Sequence, residues 1–358
     1  MIKTARTLMA VIVMLLTVSG CSQVVDEEPN QEDTRPVLKD VASVDRHVWV
    51  AGQGGIWKSS DSGKSWNMQY DSGDEVVTDV VFVDEQSGWA AEGIRLLATA
   101  NGGDDWGVVH EWSGDIGDWG FVTPEVGYAV SDSHLAMSQD GGKTWTTIGT
   151  PEAVDRVCFS NPDVGWIIGS SKTTYATFDG GKTWKKSGEI PRITRDHTTF
   201  DVEGVYRPSC LSDGSALVLV SNGFTAGSNN WSLYKVAAET GWTELASQWD
   251  SSSAHDLVKG YLLLPFDTEG LLVVGHTADS VVVEGFEVGS TVWQAGYIDG
   301  ESYKRTDSPS ERLLGWPEEG DSHRDGSAWL VVNVPADGTY LLYTEDSGRT
   351  WTRLDSPH

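Results

Sequence analysis

The sequence predicts an all-β chain made of a repeated four-stranded unit, and three observations predict it. An eight-residue pattern recurs, as "SSDSGKSW" ending at Trp66, "TANGGDDW" at Trp106, "SQDGGKTW" at Trp145, "TFDGGKTW" at Trp184 and "TEDSGRTW" at Trp351. The first four of these tryptophans lie 40, 39 and 39 residues apart, a fixed period that marks a repeat architecture. A second landmark, an aromatic on an apolar run, precedes them by 17, 17, 17 and 18 residues, at Trp49, Trp89, Tyr128 and Trp166. Between the landmarks, short runs rich in valine, isoleucine and aromatics alternate with Gly, Asp and Ser punctuation.

One unit, "TDVVFVDEQSGWAAEGIRLLATANGGDDW", holds four such runs once the segment after the tryptophan is added. Four-stranded units of about 40 residues arranged around a ring describe a β-propeller; the coils of a β-solenoid are shorter. The repeated turn joins the third and fourth strands. Its glycine supplies positive φ without a Cβ penalty, and Asp61, Asp140, Asp179, Asp346 and, in the second copy, Asn101 can accept bonds from the backbone N–H groups of their own turns. A Ser or Thr at the first position closes the turn from the other side, and the tryptophan anchors the fourth strand by burying a large apolar area. Asn at 101 keeps an acceptor, as a structural role allows and an acid or nucleophile would not.

From Trp184 to Trp351 the pattern fades. Three strand groups are legible there, "SALVLVSNG" with "NWSLYKVAAETGWTEL", "GLLVVGHTADSVVVEGFEVGSTVWQ" and "SAWLVVNVPADGTYLLYTEDSGRTW", so seven blades are expected, with eight as the alternative. A single propeller over 37–358 accounts for the length, and 17 tryptophans with 40 glycines suit sheets joined by tight turns.

The "SxDxGxxW" pattern resembles the Asp-box (BNR) repeat, and the signature "F…GWa.G…T.DGGkTW" resembles the propellers of the photosystem II stability/assembly factor-like family. The resemblance covers 37–186 and returns at 326–355. It implies a non-catalytic part in assembling or stabilising a membrane complex.

The first 20 residues read as a secretory signal: Lys3 and Arg6 precede an apolar run from Leu8 to Val18, too short for the roughly 20 residues a membrane span needs. "VSGC" resembles a bacterial lipobox, which implies cleavage before Cys21 and acylation of its thiol. Residues 21–36 then form a polar, acidic tether. The expected location is the cell envelope, lipid-anchored on the extracytoplasmic side of a bacterial membrane.

The formal net charge is −28, which repels nucleic acid and anionic lipid and suits a basic partner segment, a cation or simple solubility. Cys158 and Cys210 fall at nearly equivalent places on the first strands of consecutive units. They are either a disulfide, permitted outside the cytoplasm, or two buried free thiols.

Function in such a fold sits at the channel mouth. Aligning the units on Phe82, Phe121 and Phe159 puts Asp79, Asp118 and Arg156 at one position three residues earlier, and the register extends to Lys39 and Arg207. These five residues form either a binding surface with an acidic and a basic half or a set of solvated strand-entry residues. The insertion from Ser187 to Tyr206 adds Arg192, Arg195 and His197 to a chain poor in positive residues, and long loops of this kind tend to carry function or to be disordered.

Sialidases share the Asp box but need an arginine trio and a Tyr/Glu nucleophile pair; only Arg35 and Arg46 precede the first box after the signal, neither in that context. Asp79 and Asp118 leave a two-carboxylate glycosidase as the alternative. No metal-site spacing, paired Cys or phosphate-binding glycine loop occurs, so no cofactor is expected. The sequence therefore points to a membrane-tethered propeller that binds a protein or a glycan.

Overall fold

The computed structural model describes residues 35–114, 116–195, 198–225, 228–248, 261–266, 270–283, 286–299, 302–305, 316–323, 325–334, 338–346 and 350–357. The signal segment, Cys21 and most of the tether lie outside them. No described helix is long and apolar enough to cross a membrane.

The chain is built of antiparallel sheets that follow one another along the sequence. The first is six-stranded, in the order Leu38–Val44, His47–Ser59, Asn67–Phe82, Gly88–Glu92, Arg95–Thr99, Gly107–Glu111. Two four-stranded sheets follow, Ile116–Phe121 to Thr146–Thr147 and Val154–Phe159 to Lys185–Glu189, and then a hairpin, Ile193–Arg195 with Thr198–Phe200. A five-stranded sheet spans Val202–Val205 to Gly241–Gln248, and two further four-stranded sheets run from Tyr261–Phe266 to Ser302–Arg305 and from Trp316–Ser322 to Thr352–Asp355.

Five sheets of four or five strands thus stand as separate blades among the described residues, in place of the seven or eight separate blades expected. The physical reason lies in one strand. Asn67–Phe82 runs unbroken from the outer edge of the first repeat to the inner edge of the second, pairing Met68 with Trp57 at one end and Val81 with Trp89 at the other. Two repeats thereby become one sheet. The insertion at 187–206 also differs from a plain loop, forming the separate hairpin and the strand Val202–Val205.

Side chains alternate across each strand, so every sheet has two faces to bury, and neighbouring repeats bury them against each other. The apolar clusters accordingly lie between repeats. Trp49, Ala51 and Ile56 pack on Val77, Val80 and Leu97; Trp89 and Leu96 on Trp119 and Phe121; Cys158, Trp166 and Ile168 on Val205, Val218 and Tyr234. Leu38, Val48 and Trp57 pack on Trp329, Val331 and Leu341, which joins the first repeat to the last sheet.

The upstream aromatics staple each repeat to the next. Trp49 stacks on Phe82 at 3.6 Å and donates from Nε1 to the Gly102 carbonyl at 2.9 Å. Trp89 stacks on Phe121 at 3.7 Å and donates to the Gly141 carbonyl at 3.0 Å.

The repeated turns are closed by their own side chains. Ser138 Oγ accepts from the Gly142 N–H at 2.8 Å and donates to Asp140, while Asp140 accepts from the Thr144 N–H at 2.9 Å and from its hydroxyl at 2.6 Å. The same pattern surrounds Asp61 and Asp179. The Ser65 hydroxyl and N–H, with Ser59, hold the Asp61 carboxyl down at about 2. Asn101 accepts from the Asp105 N–H at 3.0 Å, keeping the acceptor while its amide donates to the Asp105 carboxylate. Gly142 has φ +86°, and a Cβ there would lie 2.9 Å from Leu96 and 3.0 Å from Phe121. Both the backbone and the neighbouring repeat therefore require glycine.

Candidate functional site in the central channel

The first strands of the first four repeats and of the last sheet each carry a β-bulge near their entry. Register shifts fall between Leu38 and Asp40, Val77 and Asp79, Ile116 and Trp119, Val154 and Arg156, and Pro317 and Gly320. Bulges re-aim side chains. Asp40 pairs with Ala51, Asp79 with Ala91 and Arg156 with Ile168, each partner standing two residues after its landmark tryptophan. Asp118 and Glu319 occupy the corresponding bulges.

Lys39 is therefore not the ring member in the first repeat; Asp40 is. The hairpin from Val44 to His47 is one residue shorter than its counterparts, so counting back from Trp49 slips the register by one. Lys39 instead places its Nζ 3.4 Å from Glu318 Oε1. Glu319 stands ten residues before Trp329, the same offset as Asp79 from Trp89, and was legible by that count.

Asp40, Asp79, Arg207, Glu319 and Asp321 line one cavity of about 210 Å³, with Phe82 and Trp119 in its walls. Two carboxylates tie neighbouring repeats together. Asp40 Oδ2 accepts from the Val80 N–H at 2.8 Å, and Asp118 Oδ2 from the Val157 N–H at 3.0 Å. Arg156 likewise reaches the next repeat, donating from Nε to the Val205 carbonyl at 3.1 Å, with Nη1 4.0 Å from Asp118 Oδ1. Arg207 donates to the Trp119 carbonyl. The cavity thus gathers acids from the first two repeats and the last sheet around Arg207 of the fifth repeat, while Arg156 of the fourth lies beside Asp118.

Crowding shifts these groups. Desolvation raises Asp40 well above the usual carboxylate range, and the charges of Glu319 and Asp79 add to it against the Val80 and Val41 N–H groups. Glu319 keeps part of its surface exposed, yet desolvation by the protein packed around its carboxyl raises it to about 7; Arg207 opposes, and Asp79, Glu318 and Asp118 reinforce the shift. Burial also raises Asp118, against Arg207, the Val157 N–H and Arg156. For Arg207, burial acts downward, but Tyr128, Asp118 and Glu319 outweigh it and hold the guanidinium charged.

A serine, a histidine and an aspartate meet beside the cavity, but not as a catalytic triad. His323 Nε2 lies 2.6 Å from Ser43 Oγ and 3.3 Å from Asp321 Oδ2, so both partners use one ring nitrogen, whereas a triad needs the acid on the other. Ser43 is 2% exposed and beyond the reach of a substrate. Among the described residues no group of three or more His, Cys, Asp or Glu side chains is placed to hold a metal ion.

The remaining expected residues divide. Arg192 stands on the surface, its Nε 3.4 Å from Asp201 Oδ1, so its charge is compensated. Arg195 ends a strand of the separate hairpin; His197 lies outside the described residues. Cys158 and Cys210 are disulfide-bonded, with Cα atoms 5.6 Å apart, and the bridge joins the two first strands that deliver Arg156 and Arg207. Asp61, Asn101, Asp140, Asp179 and Asp346 are occupied within their turns. Trp66, Trp106, Trp145 and Trp184 pack against the apolar clusters, and Trp351 is half-buried.

Neither a protein-family model nor a curated protein matches the sequence. Solved structures do match. The structure of YCF48 bound to a D1 peptide is similar with a TM-score of 0.57 at 15% identity, over 88% of this chain and 95% of that one. A WD40 β-propeller domain of Doa1 is similar with a TM-score of 0.53 at 14% identity, over 88% and 94%. The chain is a β-propeller. A GH74 xyloglucanase from Xanthomonas campestris is also similar, with a TM-score of 0.61 at 14% identity, over 90% of this chain and only 55% of that one. At these identities the likeness concerns the fold.

Proposed function

We propose that this propeller is a non-catalytic binding scaffold whose channel mouth takes a segment of a partner protein, in the service of assembling or stabilising a membrane protein complex. The observation that carries this reading is the mixed charge of the channel, where Asp40, Asp79 and Glu319 share one cavity with Arg207 and Arg156 stands beside Asp118. Opposed charges on a rigid frame fix the orientation of a bound segment and reject wrong partners. YCF48, a propeller of similar fold, has been solved with a peptide bound. The Asp-box signature and its resemblance to the assembly-factor family support the same role. Residues 1–20 are read as a signal, Cys21 as the lipid-anchored residue and 21–36 as a tether holding the propeller on the extracytoplasmic face of a bacterial membrane.

Affinity capture from membranes with the full-length protein tests the reading. A membrane-protein complex should be recovered, and Arg156→Glu with Arg207→Glu should reduce its recovery at least about tenfold, since unpairing a buried charged contact costs roughly 2–5 kcal/mol. Arg156→Glu alone serves where the double variant does not fold. Unchanged recovery would remove the two arginines from the binding site.

A second reading rests on Asp118, whose raised carboxyl is the kind a general acid needs, with Asp79 at the equivalent position of the adjacent repeat. Glycan binding with turnover abolished by Asp79→Asn and Asp118→Asn would favour a carbohydrate-active enzyme; no turnover on a xyloglucan or mixed-glycan panel would set it aside.

A further inference from the structure

The junctions around the channel are not closed alike. The fourth and fifth repeats are joined covalently by Cys158–Cys210. The strands Leu38–Val44 and Trp316–Ser322, where the first repeat meets the last sheet, are joined through side chains, several of them titratable. Asp321 Oδ2 accepts from Ser43 N–H at 2.7 Å and from Ser43 Oγ at 2.9 Å, and His323 Nε2 sits 2.6 Å from the same hydroxyl. Leu38 N–H donates to Thr339 Oγ1 at 3.2 Å, Asn333 Nδ2 donates to the Leu38 carbonyl at 3.2 Å, and Lys39 pairs with Glu318 at 3.4 Å.

We propose that this seam is a pH-controlled latch, tight in a mildly acidic medium and loosened as the pH rises past neutrality. The inference goes beyond the binding role and does not depend on it.

Two sets of groups work the latch. His323 faces Asp321, Asp325 and Asp45, so a proton on its ring places one positive charge against three acids. Glu319 and Asp40 face each other and Asp79, with Glu318 and Asp118 also near Glu319 and Arg207 opposing. A proton on either carboxyl relieves repulsion across the seam.

All three groups titrate upward in the folded protein. The Asp321 hydrogen bond raises His323 against burial, with the charges of Asp321, Asp325 and Asp45 adding to it. Its contribution is complete below the unfolded value of about 6.5 and is lost as the pH rises through the higher folded value. For Glu319 the folded carboxyl holds its proton up to about 7 against an ordinary value of 4.5, so stability declines across that interval as the pH rises. Asp40 acts with the same sign. The folded seam therefore takes up protons from the acidic range to above neutrality.

Hydrogen–deuterium exchange of the full-length protein at pH 5.5 and 8.5, corrected for the intrinsic pH dependence of exchange, reads the latch directly. Peptides covering 38–44 and 316–322 should gain opening by at least about tenfold at pH 8.5, one pKa unit being a factor of ten. Peptides covering 154–159 and 209–210, at the disulfide, should change little. Glu319→Gln combined with His323→Gln should flatten the response of the seam. Equal change at both junctions, no change at either, or an undiminished response in the double variant would overturn the proposal. Where that variant does not fold, the comparison of the two junctions in the unaltered protein decides.

Discussion

Trp166→Ala is expected to destabilise the protein by about 3–5 kcal/mol, the range for emptying a buried aromatic site. Trp166 is 1% exposed, packs among Ile168, Val205, Val218 and Tyr234, and donates from Nε1 to the Gly214 carbonyl at 2.9 Å. The substitution leaves a cavity between two repeats and a half-buried carbonyl without its donor, and a cavity held open by two sheets collapses poorly. Trp166→Phe keeps most of the apolar volume and loses the donor, so about 0.5–1.5 kcal/mol is expected, the net worth of an ordinary hydrogen bond. Denaturant midpoints for the two variants check the order; equal midpoints would mean that the hydrogen bond carries the whole effect.

Opening the disulfide is expected to cost about 2–4 kcal/mol. Cys158 and Cys210 are separated by 52 residues, so the bridge removes considerable freedom from the unfolded chain, and it ties together the strands that present Arg156 and Arg207. The unaltered protein should unfold at a lower denaturant concentration with a dithiol reductant than without it. Cys158→Ala with Cys210→Ala should unfold at the lower midpoint in both conditions. Alanine is the better choice because Cys158 is 4% exposed and a buried serine would need a new partner. A midpoint unmoved by reductant would show that the bridge adds nothing to stability.

Much of the fold was legible because it is local and repeated. The hydroxyl, carboxylate or amide and glycine of each turn satisfy one another within a few residues, as at Ser138, Asp140 and Gly142, so their spacing alone reveals the turn. The landmark aromatics were legible as markers, but that Trp49 reaches into the next turn to bond Gly102 was not, since nothing in a single unit records its neighbour.

The candidate site was legible only where hairpin lengths agree. Asp79, Asp118 and Arg156 share a register because their hairpins match. Lys39 did not, because the turn at Asp45 and Arg46 is shorter and exchanged it for Asp40. Glu319 was within reach of the same count and was missed because the repeat signature has faded around it.

By itself, the sequence determined the all-β class, the period and the turn chemistry, all of which follow from strand alternation and contacts within one unit. Only the tertiary structure decided that Asn67–Phe82 fuses two repeats into one sheet, that Cys158 meets Cys210, and that carboxylates from the first and last sheets converge around Arg207. Those are relations between segments as much as 301 residues apart, such as Leu38 and Thr339. They depend on how many repeats close the channel and at what angle, which no single repeat specifies.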